Sequence, residues 1–322
     1  MEKLVSIIVP CFNGEKFIER FLKSILDQTY KKVELIFIND GSTDSTEEIV
    51  LSYKKKMEKR GIKFIYISQE NKGQAAAINK GLKIFKGEYM TWLDSDDLID
   101  SYNIEKKVKF LEENKTYGSV VSKIKVVSEE NINTTLEIKE WKNKNKNNYF
   151  EDVILERDIL FGGYMVNSSK FIFSNSEREI YESKEGQNWQ LLLPILYNYK
   201  CGYIDEELYI VVARKNSHSR IKRNFDEIKK RYENFEILLK ETLKKIKMDE
   251  QEKKYYLKII EEKYNIAKMK LAFKYFRDDI FNENFDKIKD KKELKLKYRI
   301  RRNIQKNIIT KTIYNLYISK RG

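Results

Sequence analysis

The sequence is poor in the residues that punctuate or cross-link a chain. It has 2 prolines, 2 cysteines and 1 histidine in 322 residues. Cys11 and Cys201 are too few for a disulfide framework, and no Cys/His spacing suits a zinc site. A reduced, cytosolic chain is therefore expected. No apolar run reaches about 18 residues, so no bilayer-spanning helix is expected. Leu4–Val9 is a strand-like run almost at the start. It lacks the basic opening and small-residue cleavage site of a signal peptide. Apolar residues make up 41% of the chain, enough for a globular core and too many for a disordered chain.

Charge is abundant but unevenly placed. Residues 221–322 hold 30 Lys+Arg against 16 Asp+Glu, an excess of 14, which equals the net charge of the whole chain. The first 220 residues are balanced. The basic character thus belongs to a tail region. No helix-turn-helix, zinc or RNA-binding signature accompanies it, so nucleic acid is not an expected partner.

The first hundred residues alternate strand and helix. Leu4–Val9, Val33–Asn39, Lys63–Ser68 and Tyr89–Leu93 read as strands, the first as a continuous apolar run suited to burial on both faces. Glu15–Gln28 and Gln74–Phe85 read as helices. A third opens with Asp44 or Ser45 as its cap. The pattern predicts an α/β fold with a doubly wound, mostly parallel sheet. Further on, Val120–Val127 and Tyr203–Val212 read as strands, 129–148 as a surface loop, Gly162–Phe173 as strand-like pieces and Asn188–Tyr199 as a helix. From Phe225 the pattern is helical over Phe225–Ile246, Glu252–Phe276 and Glu293–Ile318. The expected division is 1–222, with halves 1–100 and 101–222, followed by a basic helical region 223–322.

In such a sheet, ligands bind beyond the carboxyl ends of the strands. Four loops there carry polar chemistry: Pro10–Glu15, Asn39–Asp44, Gln69–Gln74 and Asp94–Asp97. Asp94, Asp96 and Asp97 crowd three carboxylates together. Mutual repulsion raises their pKa values, and a hard divalent cation relieves it. Mg²⁺ or Mn²⁺ binds one or two carboxylates plus substrate phosphates, which suggests a metal bridging to a diphosphate. Asp97 is expected to cap the helix that follows. The absence of G-x-x-x-x-G-K-[ST] and of G-x-G-x-x-G argues against a P-loop enzyme and a dinucleotide oxidoreductase.

Val9-Pro10-Cys11-Phe12-Asn13-Gly14-Glu15, Asn39-Asp40-Gly41-Ser42-Thr43-Asp44, Asn71-Lys72-Gly73 with Asn79, and Leu93-Asp94-Ser95-Asp96-Asp97 resemble, in order and spacing, the motifs of family 2 glycosyltransferases. The resemblance is clear over residues 3–100 and looser over 101–220. It implies the GT-A fold, a nucleotide-sugar donor (usually UDP-linked) and inversion at the anomeric carbon. It further implies that Pro10, Phe12 and Glu15 border the nucleoside, that Asp40 accepts from the base, and that Lys72 and Gly73 lie near base and ribose. Asp94 and Ser95 join the donor-binding set. Asp96 binds Mn²⁺ or Mg²⁺, and His218, beyond the last core strand, completes the metal shell or touches the diphosphate. Arg214 and Lys215 are candidates for phosphate oxygens.

The family's acidic pair, which supplies the catalytic base, corresponds here to Glu185-Gly186-Gln187-Asn188-Trp189. Amides hold the expected positions, and an amide is no base near neutral pH. Glu185 or Glu182 serves from a shifted position; or Gln187 and Asn188 orient an acceptor hydroxyl; or the acceptor is an already ionised phosphate. A glycosyltransferase-like binding protein without turnover is the remaining alternative. The expected acceptor is a hydroxyl of a glycan or lipid-linked molecule in bacterial surface polysaccharide synthesis. In the tail, Leu294, Tyr298, Ile304, Ile308, Ile309, Ile313, Leu316 and Tyr317 recur near helical spacing among 13 Lys+Arg in residues 287–322. A basic amphipathic helix suits an anionic membrane surface. Packing or homo-oligomer formation through the C-terminal helices is the alternative. The expected location is cytoplasmic, peripheral to the inner membrane face.

Overall fold

The structure is a computed structural model and describes residues 2–142, 149–157, 160, 162–214, 223–292 and 294–306, with side chains to residue 304. The chain divides into two compact units. The first comprises 1–221 with 241–247, the second 222–240 with 248–322.

The first unit opens with β1 (Val5–Cys11), α1 (Ile18–Leu26), β2 (Val33–Asp40), α2 (Thr46–Ser52), α3 (Lys54–Lys59), β3 (Lys63–Gln69), α4 (Gln74–Ile84) and β4 (Tyr89–Trp92). It continues through β5 (Leu98–Ile99), α5 (Asn103–Glu113), β6 (Tyr117–Ser128), β7 (Thr135–Lys139), α6 (Phe150–Leu155), β8 (Met165–Asn167), α7 (Ser168–Ser174), α8 (Gln187–Asn198) and β9 (Lys200–Ala213). Among the described residues, nine strands form one sheet in the order β3-β2-β1-β4-β8-β6-β9-β5, with β7 paired to β6. β1 to β4 run parallel to one another, as the alternation of strands and helices predicts. β8 then enters antiparallel between β4 and β6, so the second half of the sheet is mixed.

β1, β2 and β4 are buried along their whole length, which is why their sequences do not alternate. α4 covers one face with Ala75, Ala77, Ile78 and Leu82. These pack in one cluster with Ile8, Ile36, Met90 and Trp92 of the sheet and with Leu191 and Ile195 of α8. Small alanines let the helix approach the sheet closely. Each fully buried Ile or Leu there contributes roughly 1.5–3 kcal/mol. α8 runs unbroken through Pro194.

Three expectations are corrected and one pair of alternatives is decided. Residues 129–148 are not all loop, because Thr135–Lys139 pairs with Ile124–Val127 as an exposed edge strand. Ser168–Ser174 is helix, started by the Asn167 side chain, which accepts from the Lys170 N–H at 3.1 Å. Asp97 caps no helix; β5 follows it, and α5 begins only at Asn103. At α2, Asp44 and not Ser45 supplies the side chain that meets a free N–H, that of Thr46 at 3.0 Å.

The second unit contains most of α9 (Phe225–Lys245), then α10 (Glu250–Lys274), α11 (Asp278–Lys287) and α12 (Leu296–Lys306). Phe225, Met269, Ala272, Phe281, Phe285, Ile288, Leu294 and Tyr298 form its core. Two members of the expected membrane stripe, Leu294 and Tyr298, are therefore buried, and α12 exposes Leu296 and Ile300 instead. The stripe beyond residue 306 lies outside the described residues. No helix among those described is long and apolar enough to cross a membrane.

Candidate active site

The carboxyl ends of β1, β2, β3 and β4 bring the four polar loops to one edge, and hydrogen bonds join them in series. The Asn13 N–H donates to Ser42 Oγ at 2.9 Å, and Asn13 Oδ1 accepts from the Thr43 N–H at 2.9 Å. The Gly14 N–H donates to Thr46 Oγ1 and the Glu15 N–H to Asp44 Oδ2. Glu15 Oε2 accepts from the Ser45 N–H. The first loop is thereby bound to the second.

Asp40 binds the second loop to the third. Its Oδ1 accepts from Gln69 Nε2 at 2.6 Å and from the Lys72 N–H at 2.9 Å, and its Oδ2 from the Gly73 N–H at 2.8 Å. A carboxylate has about four acceptor positions, so one stays open on Oδ2. Gly73 has φ +89° and Gly41 has φ +74°, where a side chain is strained. At Gly41 a Cβ would also meet the Asn71 nitrogen at 2.7 Å. Gln74 then joins the third loop to the fourth, donating Nε2–H to Asp94 Oδ1 at 2.8 Å.

The three aspartates have separate surroundings. Burial and the neighbouring Asp96 push the Asp94 carboxyl up to about 6. Asp97 is buried and held well above the usual carboxylate range by burial and by Asp96 and Asp94. It accepts from Tyr209 Oη at 2.8 Å and from the Val212 N–H at 3.1 Å. Asp97 therefore ties its loop to β9. Asp96 pairs with Arg214, and its carbonyl accepts from Arg20 Nη2 at 3.2 Å. Neither Arg20 nor Gln74 carries a sequence signal of its own; both emerge only from the packing of α1 and α4 against this edge.

Among the described residues, no three His, Cys, Asp or Glu side chains form a protein cage for a metal. A cation that keeps waters and shares phosphate oxygens needs only one or two carboxylates. Asp94 and Asp96 are hard oxygen donors on one loop, the kind that such a cation takes. The donor set fits Mg²⁺ or Mn²⁺. His218 and Lys215 lie outside the described residues.

Pro10 is buried within β1, whereas Phe12 is 48% exposed at its end. Ser95 is buried beside Cys11. Burial pushes the Cys11 thiol up to about 12, so it is no nucleophile at neutral pH. At the start of α8, Asn188 Oδ1 accepts from the Trp92 indole N–H at 2.8 Å, which fixes this helix to the end of β4. Gln187 Nε2 donates to the Ser183 carbonyl at 3.1 Å. Trp189 Nε1 donates to the Val153 carbonyl at 3.2 Å. Asn79 clamps the main chain of Ile180 from both sides, a structural task. Glu185 is half-buried just before α8.

Comparison with known proteins bears on the family and the fold. The chain is 45% identical over 108 residues to an uncharacterised glycosyltransferase of Rickettsia typhi, covering 34% of this chain and 32% of that one. It is 42% identical over 101 residues to glycosyltransferase GlyA of Streptococcus pneumoniae, covering 31% and 14%. These matches thus span about a third of the first relative's length and less of the second. Among solved structures, S. aureus TarS 1–349 in complex with UDP-GlcNAc is similar with a TM-score of 0.64 at 18% identity, over 88% of this chain and 80% of that one. Mannosyltransferase PcManGT from Pyrobaculum calidifontis, in complex with GDP-Man and Mn²⁺, gives 0.55 at 15% identity, over 98% and 88%. The fold is that of the GT-A glycosyltransferases. The model of glycosyl transferase family 2 matches residues 6–172, about half of the sequence, and the chain belongs to that family.

Proposed function

We propose that the chain is a cation-dependent, inverting glycosyltransferase. It takes the sugar of a UDP-sugar and gives it to a hydroxyl of a glycan or lipid-linked acceptor in bacterial surface polysaccharide synthesis. One observation carries the reading: the unbroken series of hydrogen bonds from Asn13 through Asp40 and Gln74 to Asp94, which makes four loops one rigid edge. Such preorganisation positions a donor without further reorganisation.

Each residue then has a task. Phe12 offers an exposed ring to the base, with Pro10 and Glu15 shaping that end. Asp40 holds Lys72 and Gly73 in place and offers its open position to a base N–H. Asp94 and Ser95 meet the ribose side. Asp96, with Asp94 near and with His218, would hold Mg²⁺ or Mn²⁺. That ion would supply Lewis-acid neutralisation of the departing diphosphate. The anomeric carbon passes through an oxocarbenium-like state.

The acceptor side favours a second reading. Asn188 and Gln187 are both engaged in structural hydrogen bonds, and neither is basic. Glu185 or Glu182 remains as the base for a hydroxyl acceptor. A polyprenyl phosphate acceptor, already ionised, needs no base at all. The excess positive charge of the C-terminal region supports peripheral contact with an anionic membrane from the cytoplasmic side. Co-sedimentation with anionic vesicles is expected for the full chain and not with neutral ones; equal recovery with both would remove the membrane contact.

The enzyme reading is tested by UDP-sugar turnover with Mn²⁺, with and without a chelator. Turnover that stops on chelation and returns with Mn²⁺ supports it. UDP binding without turnover of any UDP-sugar, whichever acceptor is offered, would instead identify a binding protein. Loss of activity in Glu185→Gln or in Glu182→Gln selects the hydroxyl reading, and unchanged activity in both variants and in their double variant selects the phosphate reading.

A further inference from the structure

The Asp96 carboxylate already has a cationic partner. Arg214, the residue directly after β9, reaches back and pairs Nη2 with Asp96 Oδ2. Its guanidinium carbon lies 4.6 Å from the centre of the Phe17 ring. The pair is partly open to solvent, with 29% of the Arg214 side chain and 25% of the Asp96 side chain exposed. Arg20 donates to the main-chain oxygen of Asp96, and the charges of Glu129, Asp96, Arg214 and Asp97 all act on it. The carboxylate expected to hold a divalent cation is thus neutralised by a side chain of the protein.

This arrangement has an electrostatic consequence. A divalent cation arriving at Asp96 stands beside the Arg214 guanidinium, and the two like charges repel. The repulsion disappears once a diphosphate is present, because its oxygens supply partners for both. Arg214 is suited to the transfer. Its backbone follows Ala213, which is anchored in the sheet beside Ser128. Its planar fork matches phosphate oxygens as well as a carboxylate.

We propose that Arg214 is an exchange cation. It holds Asp96 in the nucleotide-free protein and moves to the diphosphate of the donor when a divalent cation takes the carboxylate. The pair preserves the acidic loop against self-repulsion while the site is empty, and it makes cation and nucleotide bind together. The inference rests on Asp96 being the metal ligand, as proposed above.

The test is Mn²⁺ binding to the full chain without nucleotide, followed by electron paramagnetic resonance of free Mn²⁺. UDP binding at saturating Mn²⁺ is measured in parallel. The proteins are the wild type, Arg214→Gln, Arg214→Lys and Asp96→Asn. Arg214→Gln is expected to bind Mn²⁺ alone about tenfold more tightly and UDP about tenfold more weakly, a coupling of ordinary size. Arg214→Lys should fall between it and the wild type. Opposite signs for the two ligands separate exchange from structural damage, which weakens both. Unchanged or weaker Mn²⁺ binding in Arg214→Gln overturns the exchange and leaves Asp96 as ligand. Mn²⁺ binding that survives in Asp96→Asn overturns both.

Discussion

Asp94, Asp96 and Asp97 share one loop, yet their partners give them different work. Asp97 is a tie, buried between Tyr209 and the Val212 N–H. Tyr209→Phe removes one of its two donors and should cost roughly 1–3 kcal/mol in chemical denaturation. A loss below a few tenths would mean that the tie is redundant. Lys107 is the other buried charge of note. Burial lowers its ammonium to about 7 from 10.5, and its Nζ donates to the Gly163 carbonyl at 2.6 Å and to Asn103 Oδ1 at 3.2 Å. Between those two values the unfolded chain holds more protons than the folded one. Stability contributed at this residue therefore rises with pH across that window, by up to about 1.4 kcal/mol per unit, and is flat below it. Urea titrations from pH 6.5 to 9.5 should show this slope as the difference between wild type and Lys107→Met. Parallel curves for the two proteins would place the lysine in water. The sequence made Asp94, Asp96 and Asp97 visible as a cluster but could not divide them, because Tyr209 and Arg214 reach them from more than a hundred residues away.

At the scale of elements, close packing of α4 on β1 holds the third loop in place. A Cβ at Gly81 would lie 2.4 Å from Ile8 Cγ2, inside a fully buried contact. Gly81→Val should destabilise the protein by about 1–3 kcal/mol through overpacking and weaken UDP binding with it. Wild-type stability in that variant would show that the helix has room to move. The same elements explain what was legible. β1, β2 and β4 were readable because burial on both faces leaves a continuous apolar run. α7 was not, since Phe171, Ile172 and Phe173 favour strand, while the helix is set by the Asn167 cap and the burial of Phe171 in the core. β5 has two residues and exists through its pairing with Ile210 and Tyr209. β7 lies in an Asn- and Lys-rich stretch and is exposed along its length, so nothing local marks it. α11 carried a signal that was missed: Asp278 and Asp279 in its first turn, with Phe281 and Phe285 four apart on its buried face.

At the scale of the molecule, charge and chemistry are segregated. The balanced first 220 residues carry the sheet edge and its acidic loop, and the surplus of 14 positive charges falls in the rest. Four ordered motifs made the family and the fold legible. The acceptor side was not, because amides stand where the family's carboxylates are expected, and their partners, Trp92 and Ser183, are set by folding. The central claim is that Asp96 holds a cation against the donor's diphosphate. It is tested most directly by UDP-sugar turnover of Asp96→Ala, in chelator-treated protein resupplied with Mn²⁺, beside a thermal melt. Turnover at least about a hundredfold below wild type, with Mn²⁺ no longer restoring it and the melt within a few degrees, is the expected result. Turnover and Mn²⁺ response equal to wild type would contradict it.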